Sequence, residues 1–162
     1  MTYDPSWAAI IAKQEELLLF DRFTNADALT LGLYAIDAAK AFGKSFSIHI
    51  IANGATVFLY HMDGTNLEND WWMDKKMNMS RECGTSTLRL FAEMQSGIRE
   101  RPWQLDDAGS YAFEGGCVPM RMRDGRVFGY MTASGASHEL DHEVVVRAMA
   151  RLLGVEIPTV AK

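Results

Sequence analysis

The dipeptide Asn53-Gly54 is the feature that most constrains how this chain can fold. It separates two β-rich segments, residues 45–52 and 55–61. Asn and Gly tolerate the positive φ angles that the two-residue turn of a tight hairpin requires. The sequence therefore predicts an antiparallel hairpin in which Ala52 faces Ala55.

Alternation along this hairpin predicts which side chains share a sheet face. One face takes Phe46, Ile48, Ile50, Val57, Leu59 and His61, and the other takes His49, Ile51, Phe58 and Tyr60. His49 and His61 are thus expected on opposite faces, where they could not ligate one metal together within a subunit. Since both faces carry apolar residues, we expect helices on one face and a second helical layer or a second subunit on the other.

A second hairpin is predicted further along, where Asp124-Gly125 separates the β-rich residues 118–122 and 127–133. The segment 110–113 is interpreted as a short strand that follows a loop over 99–109. Two hairpins and one further strand would make a five-stranded, largely antiparallel sheet.

Apolar residues at a spacing of three to four positions predict the helices. We expect a first helix from Asp4-Pro5 to about Asp21, and a second one that begins at the cap Thr24-Asn25 and ends at Gly43. A long helix is predicted over 69–96, with a kink at Gly84, and a last helix over 138–153. The sequence contains no repeat or linker, so we interpret residues 1–162 as one α+β domain with helices on the faces of its sheet.

Charge and the start of the chain limit the partners. The sequence has 16 lysine and arginine residues against 21 acidic ones, a net charge of −5, which offers no general attraction to nucleic acid or to anionic membranes. No signal peptide is evident, and the apolar run at 17–20 is too short to span a bilayer. We expect a cytoplasmic protein in which Cys83 and Cys117 are free thiols.

The string His138-Glu139-Leu140-Asp141-His142 matches the H-E-x-x-H pattern of zinc-dependent hydrolases. In that pattern two histidines one helical turn apart bind the metal, and the glutamate acts as a base. A catalytic zinc also needs a third protein ligand, and the only downstream carboxylates are Glu143 and Glu156. The alternative is that Ser137 caps this helix while Glu139 and Asp141 favour its positive end.

Trp71 and Trp72 are followed by Lys75 and Lys76. Two aromatic rings beside two ammonium groups can hold a flat anionic ligand by stacking and charge. The same residues can equally be packing or interface anchors with solvated lysines. The candidate ligand-binding residues are therefore Trp71, Trp72, Lys75, Lys76, His138 and His142, with no predicted catalytic residue or metal site.

The chain resembles the haem-degrading-domain superfamily of GlcG-like and HbpS-like proteins, both in the order of its predicted elements and in several of these residues. The resemblance runs from about residue 4 to 155 and rests on Trp71/Trp72, Lys75/Lys76, Gly115-Gly116, Pro119, Gly129, Ser134-Gly135 and Asp141-His142. The carboxy-terminal block is its most specific part, and the similarity is greater to the uncharacterised branch of small stand-alone proteins in the superfamily.

The resemblance implies a profilin-like α/β/α layering around a five-stranded antiparallel sheet, and homo-oligomers. Some members of the superfamily bind haem or release its iron, whereas this branch has the domain name by similarity alone. We interpret the chain as a homo-oligomeric protein that binds haem or a similar flat anionic molecule. The alternatives are a non-catalytic assembly module and a zinc-dependent hydrolase that uses His138-Glu139-x-x-His142.

Overall fold

The computed structural model describes residues 1–161, which form alternating helices and short strands. In chain order the elements are α1 (Trp7–Leu17), β1 (Leu19–Phe20), α2 (Asn25–Ala41), β2 (Ser47–Ala52), β3 (Ala55–His61), α3 (Leu67–Cys83), α4 (Thr87–Gln95), a 3₁₀ helix (Trp103–Asp106), β4 (Cys117–Met122), β5 (Val127–Ser134) and α5 (His138–Leu153). Both predicted hairpins and the last helix are confirmed.

The five strands form one sheet in the order β1-β4-β5-β2-β3. All neighbours are antiparallel except β1 and β4, so the predicted α+β fold with a largely antiparallel sheet is confirmed. The fifth strand was wrongly placed, because residues 110–113 form turn and irregular backbone. The first helix ends at Leu17 instead of near Asp21, since the next residue, Leu18, leaves the helix and Phe20 buries its side chain from the strand β1.

The β2–β3 turn has the predicted geometry, with positive φ angles of 52° at Asn53 and 84° at Gly54, and Ala52 faces Ala55. A bulge then shifts the register, because Ile51 pairs with Thr56 while Ile50 pairs with Phe58. The predicted faces are therefore wrong beyond the bulge, and Phe58 and Tyr60 share the face of Ile50 and Ile48. This shift lets the ring of Phe58 fill the space above Gly32 of α2.

The same bulge changes the positions of the two sheet histidines. His61 now pairs with Ser47, and His49 pairs with Leu59, so both histidines lie on one face of the sheet instead of on opposite faces. His49 Nε2 is 2.9 Å from Thr56 Oγ1. Burial is the main reason that the pKa of His49 lies below its ordinary value.

The predicted long helix over 69–96 is two helices. Gly84 has a φ angle of 75° and ends α3, which a non-glycine residue would do only with strain. Ser80 Oγ donates to Thr85 O across the break, and Ser86 Oγ accepts from the backbone of Arg89 to cap α4. The sequence located the irregularity at Gly84, but it is a helix end followed by a new cap, not a kink.

The helices cover both faces of the sheet. α2 and α5 pack on the face that carries Ile48, Ile50 and Met131, and their side chains form the main core together. α3 packs on the opposite face against β4 and β5, and α1 packs against α4. This α/β/α layering brings the start of α5, the end of β5 and the middle of α3 to one place.

Candidate functional site

A pocket of about 350 Å³ lies where α3, the end of β5 and the first turn of α5 meet. Its volume is at the lower end of the range for small-molecule sites. The lining consists of Met1, Thr2, Trp72, Lys76, Glu114, Ser134, Ala136, Ser137, His138, Glu139 and Asp141. We call it the α5 pocket.

A buried ion pair forms its floor. Lys76 Nζ lies 2.9 Å from Asp141 Oδ2 and donates to Ala133 O at 3.2 Å. Asp141 Oδ1 accepts from the backbone N–H groups of Gly135 (3.1 Å) and Ala136 (2.9 Å). Burial raises the pKa of the Asp141 carboxyl, and Lys76 with the two N–H groups opposes that rise. The pair thus fixes the turn before α5 and compensates the charge of the lysine.

The predicted cap of α5 by Ser137 is wrong. Ser137 is the residue before the helix, but its side chain makes no capping hydrogen bond. The carboxylate of Asp141 instead turns back to the two preceding backbone N–H groups. A negative charge in the first helical turn is also favoured by the helix dipole, as the sequence predicted.

Gly115 and Gly116 make room for this arrangement. A Cβ atom on Gly115 would lie 2.5 Å from the backbone oxygen of His138, and one on Gly116 would lie 2.9 Å from Lys76 Nζ. Gly116 also has a φ angle of 138°, which favours glycine. The close approach of β4, α5 and Lys76 therefore depends on both glycines.

His138 borders the α5 pocket with its imidazole ring. Its Nε2–H donates to Thr2 O at 2.8 Å, and Nδ1 lies 3.5 Å from the backbone nitrogen of Gly115. The ring packs edge-on against Trp7 and Phe91. A single hydrogen bond to the backbone of residue 2 therefore occupies the nitrogen of His138 on the pocket side.

His142, one helical turn later, is not a pocket residue. It is completely buried, and its Nε2–H donates to Gln14 Oε1 at 2.7 Å. Burial, with a smaller effect from His138, lowers the pKa of His142 to about 3. The two histidines have separate partners, and residues 1–161 contain no group of three His, Cys, Asp or Glu side chains placed to hold a metal ion. The H-E-x-x-H string therefore does not form a zinc site here.

The tryptophan and lysine pairs are divided between two pockets. Trp72 and Lys76 line the α5 pocket, whereas Trp71 and Lys75 line a neighbouring pocket of about 440 Å³. The ammonium group of Lys75 lies 5.4 Å from the ring of Trp72, so the two pockets adjoin at that ring. Of the six candidate residues, the structure brings Trp72, Lys76 and His138 together and leaves Trp71, Lys75 and His142 outside.

A second polar cluster was not predicted. Ser47 Oγ lies 2.5 Å from His61 Nδ1, and His61 Nε2 lies 2.9 Å from Asp70 Oδ1. Hydroxyl, imidazole and carboxylate in this order resemble an activated nucleophile with its base and orienting acid. Ser47 is completely buried, however, so a substrate cannot reach it. We assign the cluster to fastening the first turn of α3 to the sheet.

The profile that describes the haem-degrading protein HbpS-like family matches residues 23–150. The chain belongs to the HbpS-like family. The UPF0303 protein of Brucella melitensis biotype 1 is 32% identical over 145 residues, 89% of this chain and 86% of the relative. The UPF0303 protein of Acidobacterium capsulatum is 29% identical over 154 residues, 93% of this chain and 92% of the relative.

Solved structures share the HbpS-like fold. The Ybr137w protein superposes with a TM-score of 0.79 at 25% identity, over 91% of this chain and 87% of its own. HbpS gives 0.64 at 22% identity, over 82% and 91% of the two chains. A haem complex of PduOC gives 0.66 at 21% identity, over 85% and 97%. Within residues 1–161, none of the helices has the length and apolar character needed to cross a membrane.

Proposed function

We propose that this HbpS-like protein binds haem, or a similar flat anionic molecule, at the α5 pocket. The observation that carries the proposal is the meeting of Trp72, Lys76 and His138 around one pocket in a chain of this family. A structure with the same fold, that of PduOC, is a haem complex. Trp72 would supply an aromatic surface, and His138 would supply the imidazole that haem iron prefers.

The residues present fit the ring and the iron of haem better than its propionates. Trp72 offers an aromatic surface. Nε2 of His138 would become free for iron once the Thr2 carbonyl is displaced and the imidazole proton moves from Nε2 to Nδ1, which would give up its contact with the Gly115 N–H. The carboxyl groups of Glu114, Glu139 and Asp141 outnumber the one lysine of the lining, Lys76, whose ammonium group is already paired. The propionates would therefore face away from the floor, and Lys75 beside the ring of Trp72 is the cation we assign to them.

The adjacent tryptophans allow a matched test of where the ring binds. Because Trp72 lines the α5 pocket and Trp71 does not, we expect Trp72→Ala to weaken hemin binding about tenfold, the loss of one stacked aromatic contact and its buried area. Trp71→Ala should bind as the wild type does. Absorbance titrations of both variants measure this difference, and equal weakening by the two substitutions would contradict the site.

A parallel titration with protoporphyrin IX separates iron ligation from recognition of a flat anion. Binding of hemin alone would assign the affinity to the iron and its imidazole ligand. Equal binding of the metal-free ring would assign it to stacking and charge instead. Failure of both to saturate would remove the proposed function.

We also propose that the protein is a homo-oligomer. Leu29 and Leu33 of α2 and Tyr60 of β3 are about half exposed, and they border an apolar groove of about 630 Å³. Beside them β3 forms one edge of the sheet. An exposed apolar groove beside an open strand edge is typical of surfaces that are covered by another chain. A second copy of this chain is the occupant we assign.

Leu33→Glu is expected to convert the oligomer to a monomer, because a carboxylate would lie among the apolar side chains of that groove. Leu67→Glu is the matched control, since Leu67 is similarly exposed, on α3, and does not line the groove. Size-exclusion chromatography with light scattering measures the mass of both. A monomeric wild-type protein at micromolar concentration, or an unchanged mass of Leu33→Glu, would contradict this interface.

A further inference from the structure

The segment that precedes α1 borders the α5 pocket. Residues 1–3, which we call the strap, continue without helix or strand, and Met1 and Thr2 line the pocket. The carbonyl of Thr2 accepts from His138 Nε2–H at 2.8 Å. This carbonyl therefore occupies the imidazole nitrogen on which the proposed iron ligation depends.

The side chain of Tyr3 anchors the strap. Its hydroxyl lies 2.7 Å from Ser96 Oγ, just after α4, and its ring packs edge-on against Trp7 and Phe91, at centroid distances of 6.3 and 6.0 Å. The same two rings contact His138, at centroid distances of 5.7 and 4.8 Å. Tyr3 and His138 thus share one aromatic support, which places the strap beside the imidazole.

The strap joins a turn that is fixed without it. Asp4 Oδ1 accepts from both the backbone N–H and the hydroxyl of Ser6, at 2.8 and 2.6 Å, and Asp4 O accepts from the N–H of Trp7 at 3.0 Å. Pro5 restricts the backbone between them. Lifting the strap therefore breaks none of the contacts that hold this turn at the start of α1.

The contacts that close the strap are few. Within residues 1–161 it makes two hydrogen bonds, at Thr2 O and at the Tyr3 hydroxyl, and Met1 and Thr2 are exposed. An exposed segment with few hydrogen bonds opens at a much lower cost in free energy than the helices on which it packs. The strap can therefore open while the rest of the fold stays intact.

We propose that the strap is an autoinhibitory gate, in which the Thr2 carbonyl competes with a ligand for Nε2 of His138. The proposal rests on the function proposed above for the identity of the ligand, but not for the movement of the strap. Because the ligand binds only the open form, its apparent affinity is the intrinsic affinity reduced by the open fraction. Substitutions that loosen the strap should therefore expose His138 and strengthen binding.

The test measures how accessible His138 is in the full chain, without any ligand. Diethyl pyrocarbonate acylates accessible imidazole nitrogens, and mass spectrometry of the digested protein gives the rate at each histidine. Tyr3→Ala removes both the hydroxyl and the ring of the anchor, so we expect His138 to react at least about tenfold faster than in the wild type. Tyr3→Phe keeps the ring and removes only the hydrogen bond, so an increase of about threefold is expected.

Tyr34→Ala is the matched control, because Tyr34 is also partly buried but lies on α2 and packs on the main core. His138 should react at the wild-type rate in this variant. His142, which is completely buried, should keep its wild-type rate in Tyr3→Ala. An unchanged rate at His138 in Tyr3→Ala, or an equal increase at both histidines, would overturn the proposal. If Tyr3→Ala does not fold, Tyr3→Phe decides by the same criteria.

Stopped-flow mixing with hemin then connects the gate to the proposed function. The Soret band should develop faster with Tyr3→Ala than with the wild type, by a factor similar to that measured at His138. A protein that binds no hemin but shows the expected rates at His138 would keep the gate and lose the haem site. Equally fast hemin binding in both proteins, with unchanged rates at His138, would keep the haem site and remove the gate.

Discussion

Replacing Asp141 with alanine is expected to lower the free energy of unfolding by about 3–5 kcal/mol, the largest single effect that the structure predicts. The substitution leaves the ammonium group of Lys76 buried beside Ala133 without its carboxylate. It also removes the acceptor for two backbone N–H groups, those of Gly135 and Ala136. Urea denaturation of the variant and the wild type measures the difference.

Two controls decide whether the loss comes from the buried charge. Asp37→Ala breaks an exposed ion pair with Arg151 and should cost less than about 1 kcal/mol. The double variant Lys76→Met/Asp141→Leu removes both charges and should recover part of the stability lost by Asp141→Ala. A cost for Asp141→Ala no greater than that for Asp37→Ala would contradict the assigned role of the pair.

The second large effect is a loss of stability in acid that depends on His142. Burial lowers the pKa of His142 to about 3, below the ordinary value of 6.5, so the unfolded chain binds a proton at pH values where the folded chain does not. Its contribution to stability is therefore complete above about pH 6.5 and is lost as the pH falls toward 3. The slope approaches about 1.4 kcal/mol per pH unit within that window.

Urea denaturation of the wild type and of His142→Gln between pH 5 and 6.5 isolates this contribution, because His49 and the other groups titrate in both proteins. As the pH falls, the free energy of unfolding of the wild type should decrease more steeply than that of the variant. The difference between the two slopes should approach about 1.4 kcal/mol per pH unit, which corresponds to the uptake of one proton on unfolding. Between pH 7 and 8 the two slopes should agree. Equal slopes at pH 5–6.5 would show that His142 does not titrate as its burial requires.

Local signals in the sequence predicted the hairpins and the last helix well, because their turn and cap residues act over a few positions. Asn53-Gly54 and Gly154 adopt the left-handed conformations that their residue types favour. The bulge at Val57 and the strand β1 were missed for the opposite reason. Packing of the Phe58 ring on Gly32, and pairing of Phe20 with Met122, join residues distant in the sequence and leave no local pattern.

The candidate site was predicted only in part, because some of its contacts also join residues that are distant in the sequence. Residue chemistry identified Trp72, Lys76 and His138, which the structure places around one pocket. The role of Asp141 as partner of Lys76 was not predicted, since 65 positions separate them. His142 was placed in the site because residues four apart share a helix face, but α1 covers the second turn of α5 through Gln14. Trp71 and Lys75 belong to the adjoining pocket.

Titration of hemin into the wild-type protein, His138→Ala and His49→Ala tests the central claim most directly. His49 is the matched control, because its imidazole binds Thr56 on the sheet and does not line the α5 pocket. The account predicts a saturable shift of the Soret band for the wild type and His49→Ala, and at least about tenfold weaker binding for His138→Ala. The same shift in His138→Ala, or no shift in any of the three proteins, would contradict it.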